Sequence, residues 1–330
     1  APSFSGLPGG DFSGNQYFVV ESDEYAASPG SDNTPRFMFQ NPTHILCTNI
    51  EHDHVDIYDS INDTKVAFQA FFEKLPPDGT LVYCADEPAL QDVINTTHHS
   101  RSFGYGISVG HYASISDIQV DNKRTIFNLI IDGKSTGEWS THLSGEHNVK
   151  NITGAILLMH LMGFDLVKVK MHVATFAGSK RRFEHIYDSE FFSLIDDYAH
   201  HPSEIRETLK GARLTYPHRR IVVLFQPHTY SRTAAFKEDF AESLHIADKA
   251  YILDVYASAR EARNTNSVTS EDIVSYAQSK GYSEIEYLDE KNVTTMLSDE
   301  LTHGDVIVTL GASNIYRLHS AIIDVVTSKK

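Results

Sequence analysis

The sequence predicts an α/β protein whose C-terminal half is a doubly wound parallel sheet, and three observations carry that prediction. Short apolar runs of strand length recur at residues 191–195, 221–225, 250–253 and 306–309. They have the length and composition of buried strands. Each run ends in a polar cluster, and helical patterns follow, so strands alternate with helices as they do in parallel, doubly wound sheets.

Taken in chain order, residues 1–16 are rich in Gly, Ser and Pro and are expected to be loop. Residues 17–20 (Tyr-Phe-Val-Val) have strand composition and end at Glu21, 26–41 reads as a second loop, and 44–47 (His-Ile-Leu-Cys) as a second strand. A helix is expected over 62–74, with Val66, Phe68, Phe71, Phe72 and Leu75 toward its buried side. Pro76-Pro77-Asp78-Gly79 ends it before the strand 80–84. Residues 105–143 suit antiparallel ribbons, with Asp132-Gly133 as a hairpin turn. Residues 147–162 form an apolar-sided helix, and the boundary between two domains, 1–179 and 180–330, is placed near Ser179.

The densest chemistry follows the run at 191–195, where Asp196-Asp197-Tyr198-Ala199-His200-His201 precedes Pro202. Proline suits the first turn of a helix, so two carboxylates, a phenol and two imidazoles crowd the carboxyl end of a strand. Ligands bind there in open α/β sheets. The plainer alternative is a solvated loop with Asp197 capping the helix. The run at 221–225 likewise ends in Gln226-Pro227-His228-Thr229-Tyr230-Ser231-Arg232, the third in Asp254-Val255-Tyr256, and the fourth in Leu310-Gly311-Ala312-Ser313-Asn314. All four clusters are expected on one sheet edge. If a helix starts near His228, that residue and Arg232 share a face and make a cationic anion or carboxylate site.

The 330 residues suffice for two cored domains. The formal charge is −16, with 10 basic against 21 acidic residues over 1–179 and 18 against 23 over 180–330. Such a chain is a poor general binder of nucleic acid. Cys47 and Cys84 are too few for a disulfide framework, which points to a reducing cytoplasm. The longest apolar stretch, 155–164, is too short to span a bilayer, and no membrane association is expected.

The clusters Asp196-Asp197-Tyr198-Ala199-His200-His201-Pro202 and Phe225-Gln226-Pro227-His228-Thr229-Tyr230-Ser231-Arg232-Thr233 resemble the C-terminal signatures of the Mur ligases. Upstream, Glu21-Ser22-Asp23-Glu24, Thr48-Asn49-Ile50-Glu51-His52-Asp53-His54-Val55-Asp56, Gly145-Glu146-His147-Asn148-Val149-Lys150-Asn151 and Arg181-Arg182-Phe183-Glu184 resemble that family's central-domain motifs, in the family's order. The pattern is most similar to the branch that joins L-alanine to UDP-N-acetylmuramate. The absence of lysine from Ala67-Phe68-Gln69-Ala70, where other branches carry a modified one, agrees with it.

The resemblance implies an incomplete central ATPase-like domain over 1–179 followed by a Rossmann-like C-terminal domain over 180–330. It implies ATP and Mg²⁺ as cofactors, UDP-N-acetylmuramate and L-alanine as partners, and a cytoplasmic monomer or homodimer. Glu21 matches the glutamate that holds the nucleotide's Mg²⁺, and His54 the histidine at a second metal position. His147, Asn148 and Asn151 match an adenine-contacting motif, although Asn at a helix start also suits N-capping. Arg182 matches an arginine facing the nucleotide, and Asp197 an aspartate near the ribose. Tyr198, His228 and Arg232 match residues around the amino acid and the reacting carboxyl group. Either His200 or His228 suits removal of a proton from the ammonium. Thr229 departs from relatives that carry Arg there.

A P-loop is missing: the only Gly-Lys-Ser, at 133–135, has Asn128 where the first glycine belongs. The chain therefore reads as a ligase fragment beginning partway into its central domain, expected to be inactive alone. Two alternatives stand beside the alanine-adding reading: the recycling ligase that attaches an intact peptide, and a non-catalytic remnant.

Overall fold

The computed structural model describes residues 14, 16–121, 124–257 and 268–329. The chain divides into two compact units, the first ending at Ala177 and the second beginning at Gly178. Residues 1–13, expected to be loop, lie outside the described residues.

The first unit opens with an extended segment. Residues 17–20 make no strand, and Phe18 and Val19 are exposed, contrary to the sequence expectation. Strand composition needs a hydrogen-bonded neighbour to become a strand, and none pairs with this segment among the described residues. A small hairpin of β1 (Ala26–Ser28) and β2 (Asp32–Pro35) and a 3₁₀ turn, Arg36–Phe39, replace the expected loop.

The main sheet of this unit runs β3-β4-β5-β6-β7-β8, comprising β3 (His44–Cys47), β4 (Thr80–Cys84), β5 (Ser102–Gly106), β6 (Ala113–Asp121), β7 (Arg124–Ile131) and β8 (Lys134–Thr141). The pairings from β3 to β6 are parallel and those from β6 to β8 antiparallel. Asp132 and Gly133 form the β7–β8 turn with φ of +50° and +70°, the left-handed pair that a tight hairpin requires. Helix α1 (Ile61–Phe72) buries Phe71 and Phe72 but leaves Val66 exposed, so its apolar stripe is narrower than expected. Helices α2 (Pro88–Thr96), α3 (Glu146–Leu161) and α4 (Leu166–Thr175) complete the unit. At Gly154 a Cβ would stand 2.7 Å from Leu46 and 2.8 Å from the Tyr105 ring, so only glycine lets α3 lie this close to the sheet.

The second unit is the doubly wound sheet, in the order β13-β12-β11-β14-β10-β9. Its strands are β9 (Glu184–Asp188), β10 (Ser193–Asp197), β11 (Ile221–Phe225), β12 (Lys249–Ile252), β13 (Ile285–Tyr287) and β14 (Val306–Leu310). All pairs are parallel except β9 with β10. Helices α5 (Pro202–Thr215), α6 (Tyr230–Leu244) and α7 (Ser270–Ser279) pack residues such as Leu209, Phe240 and Ile273 against Ile195, Val223 and Val308. Helices α8 (Val293–Glu300) and α9 (His319–Ser328) pack Leu297 and Ile322 against Leu194, Leu224 and Ile307 on the opposite face. The crossovers change face at β14, which inserts between β10 and β11. That reversal opens the crevice where ligands bind in such sheets.

The second unit differs from the sequence expectation at two strand ends. The strand expected over 191–195 forms over Ser193–Asp197, so Asp196 and Asp197 are its buried last residues. Their burial is possible because each carboxylate receives directed hydrogen bonds. Helix α6 starts at Tyr230, with Thr229 as its N-cap, so His228 precedes the helix and shares no helical face with Arg232.

Candidate functional site

In the second unit the ends of β10, β11, β12 and β14 bring the predicted clusters to one sheet edge. Asp197 accepts backbone N–H bonds from Phe183 and Ala199, both at 2.8 Å. Burial pushes its carboxyl up to about 6, against the opposing pull of these bonds. It does not cap α5, because His201 does: its Nδ1 accepts from the Ser203 N–H at 3.4 Å.

Glu204 completes that cap by accepting from the N–H groups of His200 (3.0 Å) and His201 (3.2 Å). Burial alone would raise the Glu204 carboxyl, but the His200 side chain and the Arg182 charge hold it well below the usual range. The Nδ1 of His200 lies 3.1 Å from both the Tyr198 carbonyl and Glu204 Oε2. Two acceptors at one nitrogen require a proton there, which leaves Nε2 as the basic atom of the neutral ring.

His228 is stacked with Tyr256 at a centroid distance of 6.0 Å, and a bridge between their backbones joins the ends of β11 and β12. Arg232 is buried in the first turn of α6, its N–H donating to Thr229 Oγ1 at 3.4 Å. Thr229 holds φ +66°, and its N–H donates to the Tyr256 carbonyl. A β-branched residue in that conformation is an outlier of the kind that collects at functional sites. Asp254 accepts from the Tyr287 hydroxyl at 2.8 Å.

Sequence reasoning missed Arg181. Its guanidinium donates to buried Asp196 and to the carbonyls of Gly311 and Ser313. Burial would raise the Asp196 carboxyl, yet hydrogen bonds from His319, Thr309 and Arg181 outweigh it and hold the group ionised. The doubled arginine preceding Phe183 was the available signal. Only Arg182 matched a known role, and it is the more exposed of the two, lying 3.6 Å from Glu204.

In the first unit, Asp23, Glu24 and His54 place ligand atoms within 4.8 Å of one another. His54 Nε2 is 3.2 Å from Glu24, and Asp23 pairs with Arg36. Two carboxylates and an imidazole suit a divalent cation. Glu21 is exposed and stands outside this group. His147, Asn148 and Asn151 lie in the first two turns of α3, whose N-cap is Gly145, so the N-capping alternative is not realised. The Asn148 amide instead donates to the Ser144 carbonyl at 2.7 Å.

Fold and clusters together define a two-unit α/β protein that carries its polar groups at strand ends. The chain belongs to the Mur ligase family. Residues 12–159 match the Mur ligase middle domain, and residues 181–313 the Mur ligase glutamate ligase domain. A UDP-N-acetylmuramate–L-alanine ligase from Desulfitobacterium hafniense is 34% identical over 96% of this chain and 68% of its own length. Another from Caldanaerobacter subterraneus is 36% identical over 94% and 65%. The chain thus spans about two thirds of the relatives it matches. Among solved structures, the UDP-N-acetylmuramate–alanine ligase of Thermotoga maritima shares the fold with a TM-score of 0.68 at 24% identity, covering 88% of this chain and 61% of that one. A murein peptide ligase from Psychrobacter arcticus does so at 0.66 and 21%, covering 96% and 65%. Among the described residues no helix is long and apolar enough to cross a membrane, and both cysteines are free and buried.

Proposed function

We propose that this chain provides the central and C-terminal parts of an ATP-dependent ligase joining L-alanine to the lactyl carboxylate of UDP-N-acetylmuramate in peptidoglycan precursor synthesis. The observation that carries the reading is the strand-end cluster of Asp197, Tyr198, His200, His228 and Arg232, in a chain whose relatives at 34–36% identity bear that ligase's name. Amide formation requires an activated carboxyl oxygen. Phosphorylation by ATP makes an acyl phosphate, and the alanine amine attacks it with loss of phosphate.

This chain's residues would hold and orient the reactants. Arg232 pairs with the alanine carboxylate through a charge-assisted contact, and Tyr198 lies against the same substrate. His200, whose Nδ1 lies 3.1 Å from both the Tyr198 carbonyl and Glu204, is assigned to take the proton from the ammonium. His228 is assigned to the reacting carboxyl group. Nucleotide contacts are assigned to His147, Asn148 and Asn151 in the first unit and to Arg182 and Asp197 in the second. Mg²⁺, when bound, neutralises phosphate charge. His54 with Glu24 and Asp23 offers a donor set for it, and Glu21 would have to approach to join them.

The test is ADP release by the protein as its gene encodes it. Turnover should require both UDP-N-acetylmuramate and L-alanine. A tripeptide used far faster than alanine would identify the recycling ligase, and no turnover with either would leave a non-catalytic protein.

A further inference from the structure

We propose that Arg181 is a positioning residue for the amino-acid end of this site: it fixes the Tyr198 ring and so sets how tightly the incoming amino acid is held. The inference rests on the reading of Tyr198 as an amino-acid contact. The Arg181 guanidinium is spread by three directed bonds, Nε to Asp196 Oδ2 at 2.8 Å, Nη1 to the Ser313 carbonyl at 3.1 Å and Nη2 to the Gly311 carbonyl at 2.6 Å. These tie the end of β10 to the loop after β14. Asp196 is 1% exposed and is held by Thr309 Oγ1 at 2.7 Å and His319 Nε2 at 3.4 Å. The cation therefore has little freedom to turn.

Two rings lie against it, Tyr198 at 5.1 Å and Tyr316 at 5.2 Å from Cζ to the ring centroids. A planar cation clamped along its edge is a rigid platform for an aromatic face, which a lysine ammonium would not provide. The backbone adds a second restraint, because the Tyr198 N–H donates to the Arg181 carbonyl at 2.7 Å. To make this bond and the one from Phe183 to Asp197, Arg181 and Phe183 adopt φ of +59° and +51°. Such residues persist only where their surroundings over-determine them, and the Arg181 side chain contributes that determination.

An arginine that merely stapled β10 to β14 would not need two aromatic rings facing its guanidinium. Tyr198 remains 37% exposed in that contact, so part of the ring stays open at the strand ends.

The test measures ADP release by the protein as its gene encodes it, varying L-alanine at saturating ATP and UDP-N-acetylmuramate. Arg181→Lys should raise the KM for L-alanine at least about tenfold, with the KM for ATP within about twofold. Tyr316→Leu, at an exposed position, should raise the L-alanine KM about threefold, and Tyr316→Phe should restore it. A purely structural staple would instead lower the thermal midpoint and the active fraction, reducing kcat alone. An unchanged L-alanine KM in the Arg181→Lys and Tyr316→Leu variants overturns the proposal, and Tyr316→Leu with Tyr316→Phe decides it if Arg181→Lys does not fold. If the unsubstituted protein shows no alanine-dependent turnover, the functional reading fails by itself. Positioning is then judged by amide hydrogen exchange at Tyr198, Ala199 and His200. Faster exchange there in Arg181→Lys, or in Tyr316→Leu should the former not fold, with β11 unchanged, supports it. Equal exchange overturns it.

Discussion

Gly311→Ala measures how rigidly the strand ends are locked around the site. Gly311 follows β14 at φ +143°, a conformation that L side chains rarely adopt, and a Cβ there would stand 2.6 Å from the Gln226 carbonyl oxygen. That oxygen cannot easily retreat, because the Gln226 N–H is bonded to the Leu310 carbonyl at 3.0 Å. The conformational cost is about 1–3 kcal/mol and the overpacking cost about 1–3 kcal/mol. Together they make roughly 2–6 kcal/mol against a total stability on the order of 5–15 kcal/mol. Gly281, just beyond α7 at φ +85° with nothing within 4 Å of a built Cβ, is the control. Its substitution by alanine carries the conformational cost alone, about 1 kcal/mol. Urea unfolding of the two variants at 25 °C should show Gly311→Ala losing at least about 1 kcal/mol more than Gly281→Ala. Losses equal within about 0.5 kcal/mol would mean that the loop after β14 yields freely. The site edge would then not be rigid, since Gly311 also supplies the carbonyl that holds Arg181 and the N–H that donates to the Asp197 carbonyl.

Three further outcomes are expected. Asp197 has its carboxyl raised by burial to about 6 from 3.8. The folded state therefore binds more protons than the unfolded state between these values, and stability falls as pH rises through that window. Relative to Asp197→Asn, the parent should lose about 2 kcal/mol from pH 4 to 7 in urea titrations, and a pH-independent difference would mean that burial does not raise this carboxyl. Glu204 behaves in the opposite sense: its lowered carboxyl contributes above about pH 4.5 and loses that contribution as pH falls through its folded value. With a third of its side chain exposed, Glu204→Gln should cost only about 1 kcal/mol at pH 7 and progressively less in acid; equal stability of parent and variant at pH 7 would remove the charge from the account. Arg232→Ala should raise the KM for L-alanine roughly tenfold to a hundredfold, from the loss of about 1.5–3 kcal/mol, with the KM for ATP little changed. An unaltered alanine KM would take Arg232 out of the amino-acid site.

Much of this protein was readable from sequence because local signals and tertiary environment agree. The strands at 80–84 and 221–225 form where the apolar runs lie, Pro202 opens α5, and Asp132-Gly133 makes its hairpin. Strands buried on both faces leave an uninterrupted apolar record. The turn and helix-start signals act through their own backbone angles, so neither depends on distant partners. The ordered clusters likewise carried the family without coordinates. Tertiary structure decided whatever required a partner far along the chain. Asp196 and Asp197 belong to β10 only because Arg181, Thr309, His319 and the Phe183 N–H satisfy their carboxylates, and no local pattern announces those bonds. Residues 17–20 have strand composition but no strand, since pairing is a property of two segments. His228 leaves the helix because Thr229 takes the cap, and it is held by Tyr256, 28 positions away. Arg181 gains its place from carbonyls 130 and 132 residues distant. Residue type and spacing determined which chemistry the chain carries. Long-range hydrogen bonds, which alone make buried charge tolerable, decided where each group stands.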